Sequence, residues 1–141
     1  MSSPPRSDEI RVAISNDADI ITARQAGREL AASAGCSTTD LTEVATAISE
    51  IARNIVTYAG HGTVTMRQVE HSSRCGIEIV ATDDGPGIAD VDRALEDGFT
   101  TGVGLGLGLP GARRLMDDFR ISSDLGRGTK VVMHKWCRTD V

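Results

Sequence analysis

The sequence predicts an α+β fold, a two-layer sandwich with helices on one face of a mostly antiparallel or mixed sheet. Three observations lead there. Two stretches, 17–34 and 40–59, have the look of helices bounded by caps and glycines. Several short segments alternate apolar and polar residues at the period of a half-buried strand. The elements also fall in runs, strand then two helices then two strands, instead of the strict alternation of a parallel α/β sheet.

A short arm, residues 1–8, precedes one domain spanning 9–138. Glu9–Ser15 alternates around Ile10, Val12 and Ile14 and reads as a strand. Asp17 or Asp19 offers the cap of a helix that runs to Ala34 and ends at Gly35. Ser37-Thr38-Thr39-Asp40 offers caps for a long helix, Asp40–Ala59, closed by Gly60. Strands follow at Thr63–Glu70 and Gly76–Thr82, joined by the hairpin loop His71-Ser72-Ser73-Arg74. A glycine-rich stretch covers Asp83–Gly108, with a short helix near Asp90–Glu96. Leu109–Phe119 reads as a helix with Pro110 in its first turn. Ile121–Asp124 and Thr129–Trp136 form a last strand pair around Gly126-Arg127-Gly128.

Composition removes several classes of function. Fifteen Lys plus Arg against 20 Asp plus Glu give a net charge of −5, the wrong sign for a nucleic-acid footprint. Aromatics are 3% of the chain, too few for a base-stacking platform. No apolar run reaches the ~20 residues of a membrane span, and the first eight residues hold no apolar leader segment. Neither nucleic acid nor membrane is expected as a partner, and the expected location is cytoplasmic. Cys36, Cys75 and Cys137 are odd in number and lack a Cys-x-x-Cys pair, so they read as separate buried or idle thiols. His61, His71 and His134 are scattered and make no metal set.

Three constellations bear chemistry. On the long helix, Leu41, Val44, Ala45, Ile48, Ile51, Ala52 and Ile55 mark a buried stripe. Glu50 and Asn54 lie on another face, one turn apart, beside Thr46, Ala47 and Thr57. A face so small and weakly charged suits the wall of a pocket, although a solvated helix face has the same spacing. An Asn amide oxygen is a hard neutral ligand for octahedral Mg²⁺, and a Glu one turn away can take a proton from an attacking hydroxyl. In Asp83-Asp84-Gly85-Pro86-Gly87, strand parity sets Asp83 on the face of Ile77, Ile79 and Ala81. A carboxylate aimed at a core needs donors, and the exocyclic amine of adenine is one; an ordinary strand-ending turn is the plainer reading. Third, Gly102-Val-Gly104-Leu-Gly106-Leu-Gly108-Leu-Pro110-Gly111 opens a helix and can cradle phosphate with backbone amides, or form a surface loop. No Gly-Lys-Ser or Gly-Lys-Thr occurs, so a Walker-type loop is excluded.

Taken in order, Glu50-x-x-Arg53-Asn54, Asp83-x-Gly85-x-Gly87, the glycine run and Gly126-x-Gly128-Thr129 resemble the Bergerat (GHKL) ATP-binding superfamily of gyrase, MutL and histidine kinases. Asp19–Arg28, Ile48–Ile55 and Gly108–Phe119 are similar to the RsbT-like group of its anti-sigma-type serine/threonine kinases. The resemblance spans residues ~10–137. It implies a protein kinase using ATP and Mg²⁺, with Glu50 as general base and Asn54 as metal ligand. Asp83 would bind the adenine amine with help from Thr129, and Gly85, Gly87 and Ile88 would line the base pocket. Gly104, Leu105, Gly106, Leu107 and Gly108 would close over the phosphates, and Tyr58 would flank the nucleotide or, as the alternative, serve as a core ring. It also implies partners: STAS-domain scaffold or antagonist proteins as substrates in stressosome partner switching, and a PP2C-type phosphatase that the released kinase activates. The alternatives are an anti-sigma kinase that binds a sigma subunit, and a nucleotide-dependent binding switch with little catalysis. One departure from the family pattern is Asp84, a second carboxylate beside Asp83.

Overall fold

The computed structural model describes residues 9–87 and 108–139. The expected arm at 1–8, the helix expected near Asp90–Glu96 and most of the glycine run lie outside them. The elements are β1 (Ile10–Ile14), α1 (Asp17–Ser33), α2 (Thr38–Asn54), a π-helical turn (Ile55–Ala59), β2 (Gly62–His71), β3 (Arg74–Asp83), α3 (Gly108–Leu115), β4 (Asp118–Asp124) and β5 (Gly128–Thr139). Among the described residues the strands form one sheet of order β1-β2-β3-β5-β4, antiparallel at every pairing. The expected α+β sandwich is what the chain adopts.

Local chemistry sets the helix ends. The cap of α1 is Asn16, not Asp17 or Asp19: its Oδ1 accepts the Asp19 N–H at 3.0 Å. Asp19 reaches back instead, and its Oδ2 accepts from the Ser15 N–H at 2.9 Å and the Ser15 hydroxyl at 3.1 Å. This reciprocal pairing satisfies donors at the helix start that have no partner within the helix. Ser37 caps α2 by accepting the Asp40 N–H at 3.1 Å.

The core lies between the helices and one sheet face. Val64, Met66, Ile77, Ile79, Ala81, Val131 and Met133 are buried at alternate strand positions, and α2 buries Val44, Ile48, Ile51 and Ala52 against them. Only Leu41 of the expected stripe is partly exposed. Gly27 lets α1 approach α2: a Cβ there would sit 2.1 Å from Ile48 Cδ1. Two boundaries differ from the sequence reading. α3 stops at Leu115, and β4 starts at Asp118, where the reading had helix through Phe119. The Asp117 N–H bonds to the His134 carbonyl at 3.0 Å, and the Trp136 N–H donates to Asp117 Oδ2 at 2.7 Å, so pairing with β5 ends the helix early.

A buried ammonium and a sulfur pair fasten the far end of α2. Lys135 faces the helices from β5 and donates to the Leu115 carbonyl at 2.7 Å and to Glu43 Oε1 at 3.2 Å, with Asp40 Oδ1 at 3.8 Å. One inward position further on, Cys137 meets Cys36, and the two form a disulfide across 101 residues of chain. This corrects the expectation of three separate thiols, because the fold joins two cysteines that local spacing could not relate. Replacing Lys135 with Met keeps the apolar stem but strips the Leu115 carbonyl and both carboxylates of their donor. We expect a loss of about 1–3 kcal/mol in unfolding free energy, measured by denaturant titration.

The opposite sheet face is polar. Arg67, Glu78, His134 and Asp118 occupy matched positions on β2, β3, β5 and β4. Arg67 Nε donates to Glu78 Oε1, and His134 Nε2 meets Glu78 Oε2, both at 2.9 Å. His134 thus has a structural partner here. Partial burial pushes the Glu78 carboxyl up, but the hydrogen bonds and charges of Arg67 and His134 outweigh it and hold it below the ordinary carboxylate range. The stability that Glu78 contributes is therefore present above the unfolded carboxylate value and is lost as pH falls through the lowered folded value. Glu78→Gln should flatten the acid limb of a stability–pH profile followed by circular dichroism.

Candidate functional site

The site assembles where α2 ends and β3 ends. Asp83 follows Ile77, Ile79 and Ala81 on the helix-facing side of β3, as strand parity predicts, and is half-buried. Its Oδ1 accepts the Gly85 N–H at 2.9 Å, which bends the chain away from the strand. Among the described residues Oδ2 has no donor. Asp83 pairs in register with Gly62 on β2 and Thr129 on β5, and Thr129 in turn with Ser123 on β4. The Ser123 and Thr129 hydroxyls are 2.8 Å apart, so a row of polar side chains crosses three strands at one sheet end.

Glycines let the backbones close around that carboxylate. A Cβ on Gly62 would come within 2.4 Å of the Thr82 carbonyl and 3.1 Å of Asp83 Cβ. One on Gly85 would lie 2.6 Å from Ala59 Cβ, which brings the end of the π-helical turn against the Asp83 loop. Gly87, at φ +79, packs on the Asp124 carbonyl, and the Gly126 N–H donates to the Pro86 carbonyl at 2.9 Å. Gly128, at φ +100, presses on the carbonyl of Asp83 itself.

Glu50 and Asn54 project from the last turns of α2, which lead directly into Ile55–Ala59 and thus toward Gly85. Both are half-buried. Glu50 Oε1 meets the exposed Arg53 at 3.4 Å. The Asn54 side chain has no hydrogen-bond partner among the described residues and leaves its amide oxygen open to a ligand. Ala47, read as part of this polar face, is instead fully buried in the core. It lies two turns before Asn54 and shows that the face is partly roofed by the neighbouring helices. Tyr58, in the π-helical turn, is 44% exposed and so belongs to the surface, not the core.

The fold therefore brings Asp83, Gly85, Gly87 and Thr129 together, with Glu50 and Asn54 on the helix that ends beside them. Gly108 is the first residue of α3; Ile88, Gly104, Leu105, Gly106 and Leu107 lie outside the described residues. The sequence reading missed Ser123 and Gly62. Ser123 had a signal, since it continues the inward parity of Phe119 and Ile121, but β4 was read from Ile121 and offered only one full alternation. The donor set suits a nucleotide and its metal: a carboxylate at Asp83 whose Oδ2 has no donor among the described residues, hydroxyls beside it, and an amide without a partner among those residues next to a carboxylate.

Comparison with known proteins decides the family. Residues 14–135 match the model of the histidine kinase-like ATPase domain. The serine/threonine-protein kinase RsbT of Bacillus subtilis is 47% identical over 131 residues, 93% of this chain and 98% of the relative. The chain belongs to the RsbT-like serine/threonine kinases of the histidine kinase-like ATPase family. Membership makes this RsbT-like kinase an ATP-dependent enzyme with a nucleotide-binding domain. An anti-sigma F factor of Caldanaerobacter subterraneus subsp. tengcongensis is 31% identical over 103 residues, covering 69% of this chain and 71% of the relative. Solved structures agree on the fold. The RsbU and RsbW domains of a Mycobacterium tuberculosis protein superpose with a TM-score of 0.61 at 19% identity, over 94% of this chain and 33% of that one. The catalytic domain of the histidine kinase ThkA gives 0.54 at 13% identity, over 91% and 96%. No helix among the described residues is long and apolar enough to cross a membrane.

Proposed function

We propose that this RsbT-like kinase transfers the γ-phosphoryl group of Mg-ATP to a serine or threonine of a STAS-domain partner, and that the released kinase binds and activates a PP2C-type phosphatase in a stressosome-type partner switch. Asp83 supports the nucleotide part most strongly: it is a half-buried acceptor whose Oδ2 has no donor among the described residues, at a sheet end where four glycines leave no room for side chains.

In this reading Asp83 Oδ2 accepts from the exocyclic amine of adenine. Thr129, held by Ser123 at 2.8 Å, contacts the ring edge. Gly85, Gly87 and Ile88 line the base, Tyr58 flanks the nucleotide, and Gly104–Gly108 close over the phosphates. Asn54 would hold Mg²⁺ through its amide oxygen, a hard neutral ligand. When bound, Mg²⁺ neutralises charge on the phosphoryl group as it moves. Glu50, one turn from Asn54, takes the proton of the partner hydroxyl. Phosphoryl transfer rests mostly on positioning and charge stabilisation, which fits a site with one base and few other reactive side chains.

The test is incubation with γ-labelled ATP and a STAS-domain protein from the same organism. Label recovered as phosphoserine or phosphothreonine on that protein supports the reading. Label absent from it, with nucleotide binding intact, favours a binding switch. The likeness to an anti-sigma F factor gives the second reading its basis. Co-purification with a sigma subunit would favour it.

A further inference from the structure

We propose that Cys36 and Cys137 form a reversible thiol–disulfide site that fastens the last strand to the head of α2. Cys36 immediately precedes Ser37, the cap of α2, and Cys137 lies near the end of β5. Their Cα atoms are 4.4 Å apart, within the range that a disulfide spans. The bond extends an existing clamp, because Lys135 holds Asp40 and Glu43 from the preceding inward position of the same strand.

Two features mark the pair as exchangeable. Both cysteines are only partly buried, which gives a small thiol or disulfide a route to the pair. Accessible disulfides are the ones that exchange, whereas deeply buried ones resist reduction. The bridge also closes a loop of 101 residues, so its loss releases most of the 141-residue chain from restraint when unfolded. The chemistry is thiol–disulfide exchange with a low-molecular-weight disulfide such as glutathione disulfide. One cysteine thiolate attacks a sulfur of the reagent, forming a mixed disulfide and expelling one thiolate. The second cysteine thiolate attacks the protein sulfur, closes the Cys36–Cys137 bond and expels the other. Two electrons pass from the protein pair to the reagent, and the two protons end on the released thiols.

Asp40 offers a carboxylate oxygen within 4.8 Å of both sulfurs, so the reduced pair also resembles a three-donor metal site. The 4.4 Å between the Cα atoms suits the bond, and the experiment separates it from a metal site.

The experiment equilibrates the full chain with glutathione disulfide or with reduced glutathione. It then counts reactive thiols by alkylation and mass spectrometry and records thermal unfolding. Oxidation should remove two alkylatable thiols, lower the protein mass by two hydrogens and raise the unfolding midpoint by on the order of 10 °C. Cys75→Ser should keep both responses; Cys36→Ser and Cys137→Ser should lose both. The proposal is overturned if oxidation leaves thiol count and midpoint unchanged, or if the midpoint still responds in Cys36→Ser. Stoichiometric zinc in the isolated protein, with protected thiols and no loss of two hydrogens, overturns it in favour of a metal site.

Discussion

Replacing Glu50 with Gln should lower phosphoryl transfer by about 10²–10⁴-fold, the usual worth of a positioned base, and should leave nucleotide affinity unchanged. Gln has the same shape and can still meet Arg53, so the helix and the glycines beyond it stay in place. What disappears is the capacity to accept a proton. Single-turnover transfer from γ-labelled ATP, measured beside equilibrium nucleotide binding, separates the two effects. Full transfer in the variant would remove Glu50 from the role of base. A parallel loss of binding and transfer would make it a structural residue of the pocket.

The second large effect comes from Gly128→Ala. The position has φ +100, where an L side chain is strained, and its Cβ would fall 2.0 Å from the Asp83 carbonyl oxygen. Strain of that kind costs about 1–3 kcal/mol. The collision is with backbone, so relief requires β3 and β5 to part at the residue proposed to hold adenine. We expect lower stability and a loss of nucleotide affinity of about tenfold or more, equivalent to ~1.4 kcal/mol. Gly126→Ala is the control. Gly126 also has a positive φ, +79, but nothing lies within 4 Å of its added Cβ. That variant should lose some stability and keep its affinity. Equal losses of affinity in both would mean that the hairpin as a whole, and not the contact with Asp83, governs binding.

The features visible in the sequence are those with a strict local period. α2 announced its buried stripe through spacing alone, and the parity of Ile77, Ile79 and Ala81 placed Asp83 correctly. The placement of Glu50 and Asn54 one turn apart on α2 follows from helix geometry. What stayed hidden depends on contacts distant in sequence. Whether Asp118–Arg120 is helix or strand is decided by bonds to His134 and Trp136 on β5, and local propensity carries no trace of them. Lys135 follows Val131 and Met133 in inward parity, but its partners Asp40, Glu43 and Leu115 belong to two other elements. Cys36 and Cys137 meet only because the turn after α1 and the end of β5 reach the same corner. Ala47 escaped because one helix face can be polar toward its end and roofed by neighbours two turns earlier. The family resemblance reached the candidate site by motif order, which supplies across the chain what local periodicity cannot.

Calorimetric titration of the purified chain with ATP, in the presence and absence of Mg²⁺, tests the central claim most directly. Saturable binding of one nucleotide per chain, strengthened by Mg²⁺ and abolished by Asp83→Ala with the fold intact, is the predicted result. Absence of saturable adenine-nucleotide binding by the folded protein, or undiminished binding by Asp83→Ala, would contradict it.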